Sequence, residues 1–296
     1  MNKYKKKRLR KHYRYNDSKV LHIIIRIFCL ALIIILLTNH LLYYNRPDYL
    51  NEFSYDLERI ARFQINHEVL LSIKNFTDDD KEDFYKTLTN CMIEYNFELL
   101  NWDDNIVKDI PKIKENKEYK ALKTIYEITL DDIKYFPIPE NRNEENHGYN
   151  YVDSWEAERS YGGERKHYGT DVMDETNTRG YFPIVSVTSG KIEKIGWLEK
   201  GGYRIGIRSP SGAYFYYAHL YCFADGLEEG DEIYAGQIIG FMGDSGYGKE
   251  EGTIGKFPVH LHFGISLPLH NKNDEFWINP YWILRYLEKN KIKAWY

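Results

Sequence analysis

Four histidines and one aspartate stand at spacings that could do chemistry. His167-Tyr168-Gly169-Thr170-Asp171 reads H-x-x-x-D, His260-Leu261-His262 reads H-x-H, and His219 sits in Tyr217-Ala218-His219-Leu220. Val259 to Ile265 is an apolar, strand-like run. Residues i and i+2 of a strand point to one face, so His260 and His262 are expected to project together. The same alternation predicts that His219 shares a face with Tyr217 and Phe215. Two imidazoles and one carboxylate leave a fourth position open on a tetrahedral zinc, the arrangement of a catalytic rather than a structural site. Zinc lowers the pKa of bound water to roughly 7 and polarises a carbonyl as a Lewis acid. Two further histidines beside it can move protons and stabilise a developing oxyanion. Either motif alone is a common chance match. Both in one glycine-rich stretch are much harder to dismiss.

The elements that must position these residues follow from composition. From Gly162 to Gly264 glycines recur every few residues and the apolar spacing shortens towards two. Ile184 to Val187, Tyr203 to Ile207 and Tyr214 to Leu220 read as short strands joined by glycine turns, as in an all-β sandwich or barrel. Asn279 to Leu287 reads as a closing helix with Asn279 as cap and Pro280 at its first position. Upstream, residues 49–135 have no glycine and carry apolar stripes at helical spacing, among them Leu57, Ile60 and Phe63, then Leu88, Met92 and Tyr95. Thr77-Asp78-Asp79-Asp80 looks like a helix start, with Thr77 or Asp78 as the cap. Phe136 to Glu140 and the polar run to Asn150 read as a linker.

Residues 162–265 resemble the lysostaphin-type (LytM-like) zinc metalloendopeptidases, peptidoglycan hydrolases with a duplicated hybrid motif fold. The resemblance rests on H-x-x-x-D at 167–171, Y-x-H-L at 217–220 and H-L-H at 260–262, in that order. Gly201-Gly202-Tyr203 and Gly236-Gln237-Ile238-Ile239-Gly240 also fit the pattern. It covers about a third of the chain, and it implies a two-layer antiparallel β structure. It also implies one Zn2+ per chain with His167, Asp171 and His262 as ligands, and His219 and His260 as the catalytic histidines beside the metal-bound water. All five positions are kept, so the resemblance implies an active endopeptidase that cuts peptidoglycan stem peptides or cross-bridges. The alternative is a catalytically silent wall-binding or sporulation-type scaffold of the same fold.

Net charge is −4, but residues 1–19 carry nine Lys or Arg against Asp17 alone. Such a run could bind nucleic acid or simply be solvated. The apolar stretch that follows, Val20 to Tyr44 with an unbroken core from Ile27 to Leu37, decides otherwise. Residues 20–38 just meet the roughly 17–25 residues that a bilayer core requires of a helix, and Arg26 lies near enough to one end to snorkel. The basic flank orients the N-terminus to the cytoplasm. Thr38 to Tyr44 offers no small-residue cleavage site, so an uncleaved anchor is expected. Membrane is therefore the predicted partner of residues 20–44, with no nucleic acid. Cys29 falls in that stretch, and Cys91 and Cys222 are too few for a disulfide scaffold.

Three other signals fail on inspection. His67-Glu68 begins H-E-x-x-H, but Leu71 stands where the second ligand belongs. Val69 to Ile73 faintly resembles a lysozyme-like helix, without the glutamate that should follow. Gly243 to Lys249 matches G-x-x-x-x-G-K, but Glu250 replaces the Ser or Thr that would hold magnesium. His12, His22, His40, His67, His147 and His270 have no partner at ligand spacing and read as structural or surface. The expected organisation is multi-domain α plus β: a basic cytoplasmic tail (1–19), a transmembrane signal anchor (20–44), a helical extracytoplasmic domain (45–135) and a linker (136–150). An antiparallel β-sandwich or barrel-like peptidase domain (151–270) and a C-terminal helix (271–296) complete it.

Overall fold

Alternating burial marks the strands of the C-terminal half. On Tyr214–Phe223, Phe215 and Tyr217 are fully buried, and on His260–Pro268, Leu261, Phe263 and Ile265 are. With Val172, Ile205 and Ile207 these side chains fill one face of a sheet, leaving Tyr216, Ala218, His260 and His262 on the other, as the period of two requires. The computed structural model describes residues 22–31, 33–34, 54–101, 107, 110–143, 147–161, 163–268 and 275–296.

The strands of this sheet are β1 (Tyr149–Asn150), β4 (Thr170–Asp174), β5 (Pro183–Val185), β6 (Gly190–Leu198), β7 (Gly202–Arg208), β8 (Tyr214–Phe223), β9 (Glu232–Ile233), β10 (Ile238–Met242), β11 (His260–Pro268) and β12 (Glu275–Ile278). A separate two-stranded hairpin, β2 (Glu158–Arg159) and β3 (Arg165–Lys166), precedes β4. The order along the sheet is β9-β6-β7-β8-β11-β4-β1; β10 joins β8 to β5, and β12 pairs with β11. All of these pairings are antiparallel. The β-rich character matches expectation, but a barrel-like closure does not. The sheet is open, ending at β9 and β1, because neither two-residue edge strand finds the other.

Ahead of the sheet lie α1 (Leu57–Arg62), α2 (His67–Phe76), α3 (Lys81–Glu94) and α4 (Lys117–Leu130). Each begins on a short polar side chain that accepts from an otherwise orphaned backbone N–H: Asp56, Asn66, Asp80 and Asn116. The cap of α3 is thus Asp80, which accepts from Asp83 N at 2.9 Å, and neither Thr77 nor Asp78. Thr77 instead closes α2, its hydroxyl donating to the Ile73 carbonyl, and Asp78 and Asp79 turn the chain at positive φ.

Residues Asp48–Tyr296 form one compact unit. The helices share its core with the sheet: Asn279 N donates to Ala61 O at 2.7 Å across the junction. Residues 136–138 take part in this packing. Phe136 and Ile138 are fully buried, Phe136 N donates to Asn290 O, and Val185 N donates to Pro137 O. Residues 275–296 run as β12, a short helix α5 (Tyr281–Leu287) and a two-residue strand, Lys293–Ala294, paired in parallel with Glu140–Asn141. Asn279 Oδ1 accepts from Tyr281 N at 3.0 Å at the start of α5. Cys91 is a buried free thiol and Cys222 an exposed one, so they do not pair.

The first unit, Met1–Pro47, is helical at residues 22–31 and 33–34, with Ile23, Ile27, Phe28 and Leu30 exposed. Among the described residues no helix is long and apolar enough to cross a membrane. The expected anchor at 20–44 lies partly, and the basic tail at 1–19 wholly, outside the described residues.

Candidate active site

Three strands and the turn before one of them bring the five predicted residues together. Asp171 on β4 is paired directly with His262 on β11, and His262 with Ala218 on β8, so the carboxylate and imidazole share one face. His167 lies just before β4, where its side chain reaches back across one turn of chain. His167 Nε2 is 3.0 Å from Asp171 Oδ1 and 3.0 Å from His262 Nδ1, and His262 Nδ1 is 2.9 Å from Asp171 Oδ1. Gly169 makes room for this arrangement: a Cβ there would stand 2.5 Å from His262 Cε1 and 2.8 Å from the Phe263 carbonyl.

His219 reaches the same cleft by a different route from the one its spacing suggests. Regular alternation would place it with Phe215 and Tyr217 in the core. Opposite β7, however, Tyr203 pairs with Leu220 and Ile205 with Tyr217, so Ala218 and His219 together face Arg204 alone. This is a β-bulge, and bulges re-aim side chains beside active sites. His219 takes the left-handed φ of 63°, an unusual backbone for a non-glycine residue, and its N–H donates to Gly201 O at 2.8 Å. The strand also changes partner here, from β11 over Tyr214–Ala218 to β10 over Leu220–Phe223. Its ring therefore lines the cleft with Tyr216 and Ala218, not the core.

Backbone carbonyls set the tautomers. His219 Nδ1 lies 2.8 Å from Ser245 O, and His260 Nδ1 2.7 Å from Pro258 O. A carbonyl only accepts, so in both rings Nδ1 carries the proton and Nε2 is the bare nitrogen. His167 Nδ1 likewise donates to Ser154 O at 3.0 Å, leaving Nε2 as its ligand atom. The Ser245 turn is held against the bulge by Gly202, at φ 63°, where a Cβ would meet the Ser245 carbonyl at 2.2 Å. The His219 and His260 rings are 4.7 Å apart between centroids, and Phe257 packs against both.

Burial shapes the electrostatics. It pushes the pKa of His219 well below the ordinary imidazole value, helped by His260 and His262, and lowers those of His260 and His262 also. Burial alone would raise that of Asp171. The His167 and His262 imidazoles set against Oδ1 overcome this and hold the carboxylate ionised far below its usual range. Arg159 on β2 also binds Asp171, at Oδ2.

His167, Asp171 and His262 could hold a metal ion. Their ligand atoms all lie within 4.8 Å of one another, and two bare imidazole nitrogens with one carboxylate oxygen suit a borderline-soft divalent cation. A tetrahedral ion with bonds of roughly 2.0–2.1 Å separates its ligands by about 3.3 Å, so the observed spacings need open by only a few tenths of an ångström. Arg159, Arg165 and Tyr247 also line the cleft, and no residue spacing pointed to them.

Peptidase family M23 matches residues 165–275. The crystal structure of a Ruminococcus gnavus protein assigned as a glycyl-glycine endopeptidase LytM is 41% identical. It superposes with a TM-score of 0.68 and covers 80% of this chain and 93% of its own. The chain belongs to peptidase family M23. Among curated relatives, the L-Ala–D-Glu endopeptidase of Bacillus subtilis is 40% identical over 154 residues, 52% of this chain and 44% of that protein. The lysostaphin of Staphylococcus simulans is 35% identical over 99 residues, 33% of this chain and 17% of that protein. The chain thus spans less than half the length of the curated relatives it matches. The likeness to the M23 structure extends well beyond the sheet, since 80% of 296 residues exceeds the described part of residues 147–296.

Proposed function

We propose that this M23 chain is a zinc-dependent endopeptidase that hydrolyses peptide bonds of peptidoglycan. The observation that carries the reading is the convergence of His167, Asp171 and His262 beside two imidazoles, His219 and His260, whose Nδ1 protons are both committed to carbonyls. Zinc held by His167, Asp171 and His262 would supply an activated water and a Lewis acid. The chain's own residues do the rest. His260 and His219 are neutral in their buried setting, so either Nε2 can take the proton of a water attacking a peptide carbonyl. The imidazolium so formed then stands beside the developing oxyanion and can stabilise it. It can return its proton to the leaving amine. Glycan cleavage wants a pair of carboxylates, one kept protonated. Among the described residues the one carboxylate lining the cleft, Asp171, is held ionised and bound by Arg159.

Peptidoglycan is inferred from the relatives, whose names cite alanyl-glutamyl and glycyl-glycine bonds. Anchoring in the membrane at residues 20–44, with the cleft on the outer side, is part of the same proposal. It rests on the apolar run, its basic flank and the exposed isoleucines of the described helix. The test is digestion of purified peptidoglycan by the full chain with zinc. New amino groups without new reducing ends are expected, with loss on chelation and recovery on adding zinc. No release of either would point to the silent scaffold, and reducing ends without amines would overturn the bond assignment.

A further inference from the structure

The cleft has a charge excess that the hydrolytic machinery does not use. Among the described residues two guanidinium groups, Arg159 and Arg165, line it against a single carboxylate, Asp171. Arg159 is committed to that carboxylate. Arg165, on β3, is not committed to any. Among the described residues it has no acidic partner within 4.0 Å, and its hydrogen bond is Nη2 to Tyr247 Oη at 3.0 Å. Its Nε is buried without a partner. A guanidinium has five donors in a planar fork suited to a carboxylate, and a buried donor left unpaired is costly.

Its position is fixed from the opposite wall. The guanidinium lies 6.0 Å from the centroid of Tyr247, and Tyr247 in turn stacks on Tyr161 at 4.2 Å with the rings 2° apart. Tyr247 also meets the His219 ring edge-on at 6.0 Å, so Arg165 is tied to the catalytic side of the cleft by one intervening ring. Arg204 on β7 likewise keeps Nη1 buried, with no hydrogen-bond partner among the described residues. Burial pushes the Tyr216 phenol up to about 12, with Arg204 and Arg165 pulling the other way, which sets both guanidinium charges around this one ring of the cleft. A divalent ion on Asp171 would add to the positive excess.

We propose, on the endopeptidase reading above, that the peptide this cleft takes carries a free carboxylate beside the scissile bond and that Arg165 binds it. The substrate class is therefore an acidic peptide and not an uncharged glycine bridge. A glycine bridge offers the Arg165 fork only carbonyls, whereas a carboxylate can satisfy it with two parallel, charge-assisted bonds.

The test uses the full chain with zinc and two synthetic alanyl-glutamyl peptides. They are identical except that the glutamyl carboxylate next to the scissile bond is free in one and a carboxamide in the other. Pentaglycine and purified peptidoglycan complete the set. Loss of a charged hydrogen bond predicts a kcat/KM roughly ten-fold or more higher for the free carboxylate. Arg165→Gln should bring that ratio towards one, and Arg165→Lys should restore part of it. Equal cleavage of the two peptides by the unaltered protein overturns the inference, whether or not the variants fold. An unchanged ratio in Arg165→Gln does so too. Cleavage of pentaglycine or peptidoglycan with no carboxylate preference leaves the endopeptidase reading standing and removes only this one. If no substrate is cut, both fall.

Discussion

Arg159 and Asp171 divide the work of one carboxylate. The guanidinium binds Oδ2, while Oδ1 faces His167 Nε2 at 3.0 Å and His262 Nδ1 at 2.9 Å. One oxygen is thus fixed by the protein and the other turned towards the metal position. Groups that orient ligands in this way are typically worth about 10–100-fold in metal affinity or activity. Arg159→Met is expected to weaken zinc binding by about that factor, measured by competition with a chromophoric chelator. Affinity that stays the same or rises would mean that charge repulsion, not orientation, governs this contact.

Loss of a ligand and loss of a proton carrier have different signatures. His262→Ala should lose zinc, whereas His219→Ala should keep near-stoichiometric zinc and lose most turnover. Elemental analysis showing the same zinc loss in both variants would contradict the assignment of roles.

Gly169 is a steric prediction. A methyl group there would overlap the His262 ring and the Phe263 carbonyl, so Gly169→Ala must displace the ring or the strand. Overpacking of this kind costs about 1–3 kcal/mol. A lowered melting temperature together with reduced zinc content is expected. Wild-type zinc content would show that the ring is not in fact confined.

Acid should destabilise the metal-free protein in a defined window. Burial lowers the pKa of His219, His260 and His262 below the ordinary imidazole value. Below about pH 6.5 the unfolded chain then binds more protons than the folded one, so stability falls as pH falls. Asp171, held low in the folded state, acts in the same direction further down. Thermal unfolding of chelated protein should show a melting temperature that drops steadily from pH 7 to pH 5. A flat profile would contradict the burial of these rings.

The β region should not stand alone. A fragment of residues 150–296 omits Phe136 and Ile138, both fully buried, and Ala61, the acceptor of Asn279 N. Burying two such side chains contributes roughly 3–6 kcal/mol, comparable with the 5–15 kcal/mol total stability of a domain. Residues 54–296 should unfold cooperatively at a higher temperature than the shorter fragment. Equal melting temperatures would show that the helical layer adds nothing to the fold.

What was legible in the sequence followed the strand period. His260 and His262 share a face because β11 is regular from His260 onward, and the β-rich character followed from glycine spacing. The face of His219 was misread because a bulge at Ala218-His219 breaks the alternation, and no residue type marks it. The tautomers were unreadable for a related reason: Ser154, Ser245 and Pro258 act through backbone carbonyls, which every residue possesses. Arg159 and Arg165 sit on two-residue strands, too short for any periodicity to register. The cap at Asp80 was missed by two or three residues because four consecutive polar side chains could each have accepted the bond.

The bulge also behaves as a phase shift in the reading of β8. Upstream of it odd-numbered side chains, Phe215 and Tyr217, point inward; downstream Leu220 does. Removing one residue from Phe215 to Tyr217 would therefore leave hydropathy and every motif letter from His219 onward almost unchanged. It would nevertheless exchange inside for outside on one flank of the strand. The reactive ring would then swing into the hydrocarbon interior, or the preceding tyrosines would be turned out to water. Point substitutions grade the contribution of each side chain here, but a single-codon deletion acts on the parity of the whole strand.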